Sequence, residues 1–331
     1  MIWLRRMDEG GFVQFKAFAA EQAAQEKCRT LDIDIQEARK SAAAETNERW
    51  SQGLDVPGRL IYYIEQRTDS ETTCVGYVTC FLPPGETLAW LDRMDVFEPH
   101  QNQGYGTQAV SLLERELAEM GLKSASVHVP AHNKHALALC QKRGFRFTGH
   151  VMEKTWTRPR SRSLERDANT IRLQKMDEQG FEEYKAYFIE DYAQDISQSY
   201  GVDMEQARES AAEQIDELLA QGLDTPGCFV YHIELQTDSG TTRIGYLQYS
   251  TPPGEDSAWL DNIDLLEPHQ NQGYGTQALA LMEQELDAMG IKGIGLHVEA
   301  DNERALAFYQ KRGFRFTAHQ MIKGLDSAAL T

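Results

Sequence analysis

The apolar and polar positions of the first half of the chain predict a mixed order of helices and strands. Residues 12–26 and 35–50 are rich in Ala, Glu, Gln and Lys, which favour helices. Apolar residues between 107 and 120 recur at helical spacing, and the stretch 134–142 ends before Gly144, a residue typical of helix C-termini. Apolar runs and alternations predict strands at 60–64, 74–78, 90–97, 127–129 and 145–148. The order α-α-β-β-β-α-β-α-β predicts an α/β (α+β) fold, with a mixed, mostly antiparallel sheet flanked by helices.

The same pattern occurs twice along the chain, at an offset of 169 residues. Residues 83–150 and 252–319 share 44 identities in 68 positions without a gap, and the block from Glu98 to Gln108 returns unchanged as Glu267 to Gln277. This period exceeds the roughly 20–50 residues of a solenoid repeat, so each copy should form a complete domain. We therefore predict two tandem domains, copy one at residues 1–156 and copy two at residues 168–331. A polar, basic linker at residues 157–167 joins them.

Composition and charge narrow the classes of partner and compartment. The chain has 51 acidic and 33 basic residues, and a formal net charge of −18 disfavours bulk binding to nucleic acid. No apolar run approaches the roughly 18 residues needed to span a bilayer, so no membrane partner is expected. Five cysteines without a Cys-x-x-Cys pair favour free thiols over a disulfide scaffold or a zinc site. We expect a cytoplasmic protein without a metal.

Each copy carries Gln-Asn-Gln-Gly-Tyr-Gly between a strand and an amphipathic helix, beginning at Gln101 and at Gln270. In copy one, Gly104 and Gly106 allow a tight turn that presents consecutive backbone N–H groups. The following helix adds the partial positive charge of its N-terminus, so the turn can bind an anion. An isolated Gly-x-Gly is usually a plain turn, but the strand before it and the helix after it favour an anion site.

Two nucleotide-binding motifs fit this turn poorly. Residues 104–109 formally satisfy the dinucleotide fingerprint G-x-G-x-x-A. That fingerprint follows the first strand of a βαβ unit and needs an acidic residue about 20 positions later. Several strands precede the turn here, and the region near Ser124 is not acidic. A P-loop is excluded because the chain has no Gly-Lys-Ser/Thr.

The order of motifs resembles the GCN5-related N-acetyltransferase (GNAT) superfamily. Gln-x-x-Gly-x-Gly and its helix are followed by Asn302-x-x-Ala305-x-x-x-Tyr309-x-x-x-Gly313-Phe314, and related motifs stand in the same order in copy one. The similarity covers nearly the whole chain. It implies two tandem GNAT-like domains and transfer of an acetyl group from acetyl-CoA to an amine.

The resemblance also implies which residues bind the cosubstrate. In the family the glycine turn binds the CoA diphosphate through backbone N–H groups, the end of the preceding strand binds the pantetheine arm, and the asparagine contacts that arm. In copy two these positions are Leu265, Leu266, Gln270, Asn271, Gln272, Gly273, Tyr274, Gly275, Thr276 and Asn302. In copy one they are Val96, Phe97, Gln101, Asn102, Gln103, Gly104, Tyr105, Gly106, Thr107 and Asn133. Arginine is common at the first motif position, and glutamine there removes a charge but leaves the backbone donors.

Acyl transfer needs a proton donor for the departing thiolate, and Tyr309 matches the family's usual general acid. A phenol with a reference pKa of about 10 is protonated at neutral pH and can donate its proton as the sulfur leaves. Tyr309 is alternatively a core aromatic, because Phe308 is adjacent and Ala305 lies one helical turn before it.

Copy one has Cys140 at the position that matches Tyr309. A thiol with a reference pKa of about 8.5 can donate a proton, but its side chain is shorter than a phenol by the length of a ring. A covalent acetyl-cysteine route lacks an evident histidine pattern that would activate the thiol. Alternatively Cys140 is a small buried apolar side chain, and copy one is weakened or purely structural.

Two aspartates before the glycine turn of copy two, Asp261 and Asp264, are candidates for the general base, with Asp92 and Asp95 as counterparts. Alternate residues of a strand face opposite sides, so two residues three apart should face differently unless a bulge intervenes. Asp261 is the first choice, and burial would have to raise its pKa for it to act near neutral pH. Either aspartate is alternatively a solvated carboxylate at a strand end.

These observations predict an N-acetyltransferase whose active site lies mainly in copy two. The acceptor is expected to be the primary amine of a small molecule or peptide, bound largely by the first two helices of a copy (residues 12–50 and 181–219). The alternative is a non-catalytic CoA-binding or assembly module, favoured by Cys140 and by the glutamine at the first motif position. Neither the acceptor's identity nor the oligomeric state can be determined from the sequence.

Overall fold

A computed structural model of the protein describes residues 1–31, 34–54, 56–68, 71–156 and 170–325. The predicted linker, residues 157–167, lies outside the described residues. The chain divides into two compact units. Unit one contains Met1–Phe147 together with the chain from Gln320 onward, and unit two contains Thr148–His319.

Both copies show the same succession of helices and strands. Copy one contains β1 (Ile2–Arg6), α1 (Glu9–Leu31), α2 (Ile35–Arg49), β2 (Arg59–Arg67), β3 (Thr72–Phe81), β4 (Leu88–Val96), α3 (Tyr105–Glu119), β5 (Ser124–Pro130), α4 (Lys134–Lys142) and β6 (Arg146–Thr155). Copy two contains β7 (Thr170–Lys175), α5 (Glu178–Tyr200), α6 (Met204–Leu218), β8 (Cys228–Thr237), β9 (Gly240–Ser250), β10 (Ser257–Leu265), α7 (Tyr274–Ala288), β11 (Gly293–Glu299), α8 (Glu303–Lys311) and β12 (Arg315–Gly324). A mixed α/β fold in two tandem copies is therefore confirmed.

The predicted order omitted the first strand of each copy. β1 is five residues long and contains two arginines, so its apolar run is too short to read as a strand. It is stabilised by antiparallel pairing with β2, where Leu4 lies opposite Ile64. β7 pairs with β8 in the same way. Both strands are stabilised by pairing with strands about 60 residues further along the chain, and a local sequence pattern does not indicate such pairing.

The sheet of each unit is antiparallel except at one place. β1 to β4 pair in sequence order, and β4 then pairs with β5 in parallel. In unit two, β7 to β10 repeat this arrangement, and β10 pairs in parallel with β11. α3 and α7 are the crossover helices between these parallel strands. The glycine turns begin these helices and therefore lie at the ends of β4 and β10.

In each unit, the strand that follows β5 or β11 in the sheet comes from the other sequence copy. From Thr148 onward, β6 belongs to unit two, where it runs antiparallel to β11 from Gly149 opposite Glu299 to Thr155 opposite Gly293. The chain from Gln320 belongs to unit one, next to β5. The compact units and the sequence copies thus divide the chain differently.

Each unit buries an aliphatic cluster and an aromatic cluster. In unit one, leucines and valines of β2 to β5 pack with α3 and α4. The aromatic cluster gathers α1, the end of α2 and the strands, through residues that include Phe15, Trp50 and Tyr77. Unit two repeats the plan, with Tyr184 of α5 and Tyr246 of β9 in its aromatic cluster. The first two helices of each copy therefore cover part of the sheet close to the end of the strand that leads into the glycine turn.

Candidate active site

A β-bulge opens the sheet of unit two between its two parallel strands. β10 and β11 pair from Ser257 opposite Gly293 to Leu260 opposite Leu296. The register of β10 against β9 shifts between Leu260 and Asn262, which bends the strand at the point where its pairing with β11 ends. The last residues of β10 therefore have an unpaired backbone edge on the β11 side.

A cleft of about 660 Å³ begins at this opening and continues past the glycine turn to α8. Its walls include nine of the residues predicted from the sequence, namely Asp264, Leu265, Gln270, Asn271, Gly273, Gly275, Thr276, Asn302 and Tyr309. Four predicted residues of copy two lie outside this lining. Leu266 N donates to Ile244 O, and Gln272 Nε2 donates to Pro268 O. Tyr274 is buried in the core, and Asp261 is half-buried with its Oδ1 bonded to Ser250 Oγ.

The glycine turn of unit two has the backbone conformation of an anion site. Gly273 has φ 87°, in the left-handed region that favours glycine, and no side chain caps the first turn of α7. The first N–H groups of the helix are therefore not satisfied by a capping side chain. Gln270 Nε2 donates to Leu265 O at 2.7 Å and ties the turn to the end of β10. Copy one repeats this geometry with Gly104 at φ 80° and Gln101 bonded to Val96 O at 2.9 Å.

The two asparagines of the second motif begin helices. Asn302 Oδ1 accepts a hydrogen bond from Ala305 N at 2.9 Å, and Asn133 Oδ1 accepts one from Ala136 N at 3.0 Å. Each asparagine is therefore an N-cap, which fixes the start of α8 or α4. In unit two this places the first turn of α8 along the cleft, with the side-chain N–H₂ of Asn302 free of that capping bond.

Tyr309 is both a core aromatic and a wall of the cleft. Its side chain is 8% exposed, and its ring centroid lies 5.2 Å from that of Phe308 and 5.3 Å from that of Phe314. Burial raises the pKa of Tyr309, so its phenol is protonated at neutral pH. The two interpretations of Tyr309 from the sequence are therefore compatible.

The bulge directs both aspartates of β10 toward the side of the sheet that α5 covers. Tyr187 of α5 donates a hydrogen bond to Asp264 Oδ2, and Asp264 lines the cleft. Asp261 Oδ1 accepts a hydrogen bond from Ser250 Oγ at 3.4 Å, and burial raises the pKa of Asp261 to about 7. Burial raises the pKa of Tyr184 on α5, and the negative charge of Asp261 contributes to this rise. The sequence did not indicate these tyrosines, although their spacing of three places both on one face of a helix.

Further carboxylates of unit two gather near Asp264, and the sequence analysis missed them. Ser199 Oγ donates to Glu299 Oε2 at 3.0 Å at the end of β11. The pKa of Glu299 is raised to about 7, mainly because burial restricts its hydration. The charges of neighbouring carboxylates raise it further, whereas the bond from Ser199 lowers it. Asp195 on α5 reaches solvent, yet restricted hydration and the charges of Asp191 and Asp301 raise its pKa to about 6. Asp191 has a raised pKa because of restricted hydration and the charge of Asp264. The charges of these carboxylates act on one another along α5 and the end of β11.

The corresponding aspartates of copy one are neutralised. Arg49 of α2 forms an ion pair with Asp92 Oδ1, and Thr79 Oγ1 donates to Asp92 Oδ2 at 3.1 Å. Arg93 forms an ion pair with Asp95. Copy two has Leu218 and Asn262 at the positions of the two arginines, and copy one has Phe15 and Phe18 at the positions of Tyr184 and Tyr187. The two copies therefore differ most at the carboxylates that could accept a proton.

Cys140 lines a smaller cavity in unit one, of about 170 Å³ between β4, β5 and α4. Its side chain is buried, and burial together with the charge of Glu114 raises the pKa of its thiol to about 11. The thiolate is therefore scarce at neutral pH, which disfavours a nucleophilic role. Among the predicted cosubstrate-binding residues of copy one, Asn133 also lines this cavity.

Two further kinds of site are absent from the described part of the chain. These residues contain no group of three or more His, Cys, Asp or Glu side chains that could hold a metal ion. No helix among them combines the length and the apolar composition that crossing a membrane requires.

Comparison with known proteins shows a match in both copies. Residues 23–145 and 185–314 match the acetyltransferase (GNAT) family. The uncharacterized N-acetyltransferase YycN of Bacillus subtilis is 30% identical over 158 residues, which cover 47% of this chain and 99% of that protein. The uncharacterized N-acetyltransferase YdgE of the same organism is 25% identical over 155 residues, covering 46% and 97%.

Two solved structures share the two-copy architecture. The GCN5-related N-acetyltransferase from Sphaerobacter thermophilus is similar with a TM-score of 0.59 and 18% identity, over 98% of this chain and 96% of that chain. A tandem GNAT protein from the clavulanic acid biosynthesis pathway is similar with a TM-score of 0.51 and 15% identity, over 98% and 99%. At these identities the similarity concerns the fold alone.

Proposed function

Because the chain belongs to the acetyltransferase (GNAT) family, we propose that it transfers an acetyl group from acetyl-CoA to a primary amine of a small molecule or peptide. The active site in this proposal is the cleft of unit two. The observation that carries it is that Tyr309, Asp264 and the glycine turn all line one cleft. The acceptor and the assignment to unit two go beyond what family membership establishes.

The cleft residues suit the chemical groups of acetyl-CoA. The uncapped N–H groups at the start of α7 suit a diphosphate, and the unpaired edge of β10 around Leu265 suits the amides of a pantetheine arm. Acetyl-CoA, when bound, would supply an acetyl thioester. Binding along β10 would direct that thioester toward the opening at the bulge, between Asp264 and Tyr309.

The reaction requires two proton movements, and the residues of the cleft can provide both. The nitrogen of a neutral amine attacks the thioester carbonyl, the C–N bond forms and the C–S bond breaks. A carboxylate accepts the proton that the amine loses, and the phenol of Tyr309 donates a proton to the departing sulfur. The products are an amide and a free thiol.

The proposed proton acceptor is a carboxylate of β10. Asp264 lines the cleft, whereas Asp261 has the pKa of about 7 that suits a base near neutral pH. We include both in the proposal. The pH dependence of kcat/KM in Asp261→Asn and Asp264→Asn distinguishes them, because only loss of the base removes the acidic limb of the profile.

Charge differences between the copies support placing the reaction in unit two. Arginines neutralise Asp92 and Asp95 in unit one, and a paired carboxylate is a poor base. The carboxylates near Asp264 in unit two favour a positively charged acceptor. An amine that enters as a cation can lose its proton to the carboxylates before attack. We therefore expect cationic amines to be better acceptors than neutral ones.

Replacing Tyr309 by phenylalanine tests the proposed mechanism. We expect Tyr309→Phe to lower kcat about 10²–10⁴-fold, the usual contribution of a general acid, while the affinity for acetyl-CoA is retained. The ring is kept, so its packing against Phe308 and Phe314 should be little changed. Steady-state kinetics with a panel of cationic amines and calorimetry with CoA provide the two measurements. Unchanged turnover would remove Tyr309 from the mechanism.

A non-catalytic CoA-binding or assembly module is the second candidate function. It is favoured by the glycine turn of unit one, which keeps the geometry of unit two although Cys140 replaces the tyrosine. Calorimetry that detects two acetyl-CoA sites, with no acetyl transfer to a broad amine panel, would support the module. Steady turnover with any amine would exclude it for the whole protein.

A further inference from the structure

An arginine contacts the first residue of the glycine turn in unit two. Arg304 lies in the first turn of α8 and lines the cleft. Its Nη1 donates a hydrogen bond to Gln270 Oε1 at 2.6 Å. Gln270 is in turn bonded to the carbonyl of Leu265 through Nε2. The uncharged amide of Gln270 thus holds a guanidinium beside the N–H groups of the turn.

The guanidinium of Arg304 has no acidic partner in the described part of the chain. No carboxylate there lies within 4.0 Å of it, although other exposed arginines of unit two, such as Arg172, Arg208 and Arg243, each form an ion pair. Arg304 is exposed, and a guanidinium has five N–H donors. In a chain with a net charge of −18, an unpaired cation bonded to a neutral amide keeps most of its charge and donors available for an anion.

The second arginine of the cleft is held in the wall by several contacts. The guanidinium of Arg312 lies 3.6 Å from the ring centroid of Phe308, and it donates to Phe308 O and to Thr276 Oγ1. The charge of Glu283 also acts on Arg312, and the corresponding Arg143 of copy one forms an ion pair with Glu114. Arg312 therefore shapes the side of the cleft next to α7, whereas the guanidinium of Arg304, bonded to Gln270, can turn toward a ligand.

We propose that Arg304 binds the diphosphate of the coenzyme and supplies the positive charge that Gln270 does not. This inference rests on the proposed function of the cleft. Gln270 is the first residue of the turn, so a guanidinium bonded to it lies where the N–H groups of the turn meet the anion. Charge-assisted hydrogen bonds to phosphate are among the strongest that a protein forms. Copy one has His135 at this position, so unit one is expected to bind the coenzyme more weakly.

Calorimetry with CoA on the full chain tests this assignment without an acceptor amine. We expect Arg304→Ala to raise the Kd for CoA about 10-fold, which is the loss of one charge-assisted hydrogen bond. Arg315→Ala removes an exposed cation outside the cleft and controls for net charge, and it should change Kd less than about twofold. Added salt should weaken CoA binding more in the wild type than in Arg304→Ala, because fewer charges contact the ligand in the variant.

Returning the charge to the motif position gives a second measurement. We expect the double variant Arg304→Ala/Gln270→Arg to regain most of the lost affinity, because the guanidinium then extends from the turn itself. Failure to regain it, in a variant with wild-type circular dichroism, would overturn the claim that charge beside the turn is what Arg304 provides.

The choice of phosphate is tested with 3′-dephospho-CoA. If Arg304 binds the diphosphate, Arg304→Ala should weaken this ligand by the same factor as CoA. An effect that disappears without the 3′-phosphate would overturn the assignment, as would an unchanged Kd for CoA in Arg304→Ala. Both results leave the proposed function intact. Absence of CoA binding in the wild type would instead contradict the proposed function itself.

Discussion

At the scale of single residues, the acidity of Asp261 depends on where its side chain lies. Asp261 lies beside the bulge and is half-buried, with Ser250 and Gln248 as its hydrogen-bonding neighbours. A carboxylate that loses water and gains few donors favours its protonated form, which explains a pKa of about 7. Such a residue can act as a base near neutral pH, but its ionised form destabilises the fold.

Asp261→Asn is expected to stabilise the protein in a pH-dependent way. The pKa of Asp261 is raised from 3.8 to about 7, so between these values the folded state binds more protons than the unfolded state. The free energy of unfolding contributed by this group therefore falls as the pH rises from about 4 to about 7. At pH 8 the substitution should raise the free energy of unfolding by about 1–3 kcal/mol, and below pH 4 the gain should disappear.

Thermal unfolding across this pH range provides the measurement for Asp261→Asn. Asp238→Asn, at an exposed turn, is the matched control for removing one carboxylate. A gain at pH 8 that persists unchanged at pH 3 would show that the effect comes from packing rather than from ionisation.

Sequence motifs predicted some of the candidate site residues of unit two, and the others were found only from contacts in the tertiary structure. Tyr309 and Gly273 were predicted because their spacing in the sequence is itself the signal. Glu299, Tyr187 and Arg304 were missed, because each acquires its environment from a partner on another element. The local spacing of residues does not indicate that Ser199 lies within hydrogen-bond distance of Glu299, or Gln270 within that distance of Arg304.

At the scale of secondary-structure elements, the last strands of the two copies, β6 and β12, each carry a lysine that pairs with a glutamate on a crossover helix. In unit two, Lys154 of β6 pairs with Glu283 of α7, and both side chains are buried. In unit one, Lys323 of β12 lies 2.8 Å from Glu114 of α3, which also pairs with Arg143. Glu114 therefore keeps Arg143 as a cationic partner when Lys323 is removed.

Removing the two lysines should therefore have unequal effects. We expect Lys154→Met to lower the free energy of unfolding by about 3–5 kcal/mol, because it removes one partner of an ion pair whose two side chains are both buried. Lys323→Met should cost about 1–2 kcal/mol, since Arg143 still neutralises Glu114. Urea unfolding followed by circular dichroism compares the two variants. An equal cost for both would contradict the role given to Arg143.

The order of elements could be predicted from the sequence, but the sheet that each last strand joins could not. The final strands of the two copies begin with the same residues, Phe145–Thr148 and Phe314–Thr317. The residues that follow differ between the copies, and Gly149–Thr155 is the segment that pairs with β11. Its partner strand lies more than 130 residues away in the chain, so no local pattern records which sheet a last strand joins.

At the scale of the whole molecule, duplication has produced two similar folds with different sites. Unit one keeps the glycine turn but has aspartates paired with arginines and a buried thiol. In the described part of unit two, Asp261 and Asp264 have no ion-pair partner, Tyr187 donates to Asp264, and a phenol stands where unit one has the thiol. On the proposed function, we expect unit two to carry out acetyl transfer and unit one to contribute little to turnover.

Cys140→Ala tests whether unit one takes part in the chemistry. The pKa of the Cys140 thiol is about 11, so little thiolate is available at neutral pH, and we expect acetyl transfer to stay within about twofold of the wild type. Tyr309→Phe in the same assay is the matched change at the corresponding position of copy two. A large loss of turnover in Cys140→Ala, with normal stability, would assign unit one a direct role in catalysis.

The sequence by itself determined the duplication, the order of most elements, the glycine turns and the family, because identity, periodicity and motif spacing are local properties. The tertiary structure alone decided which unit each last strand completes, which aspartates are neutralised and which arginine lies beside the turn. These features depend on distances between residues that are far apart in the chain, and such distances exist only once the sheet and its helices have packed.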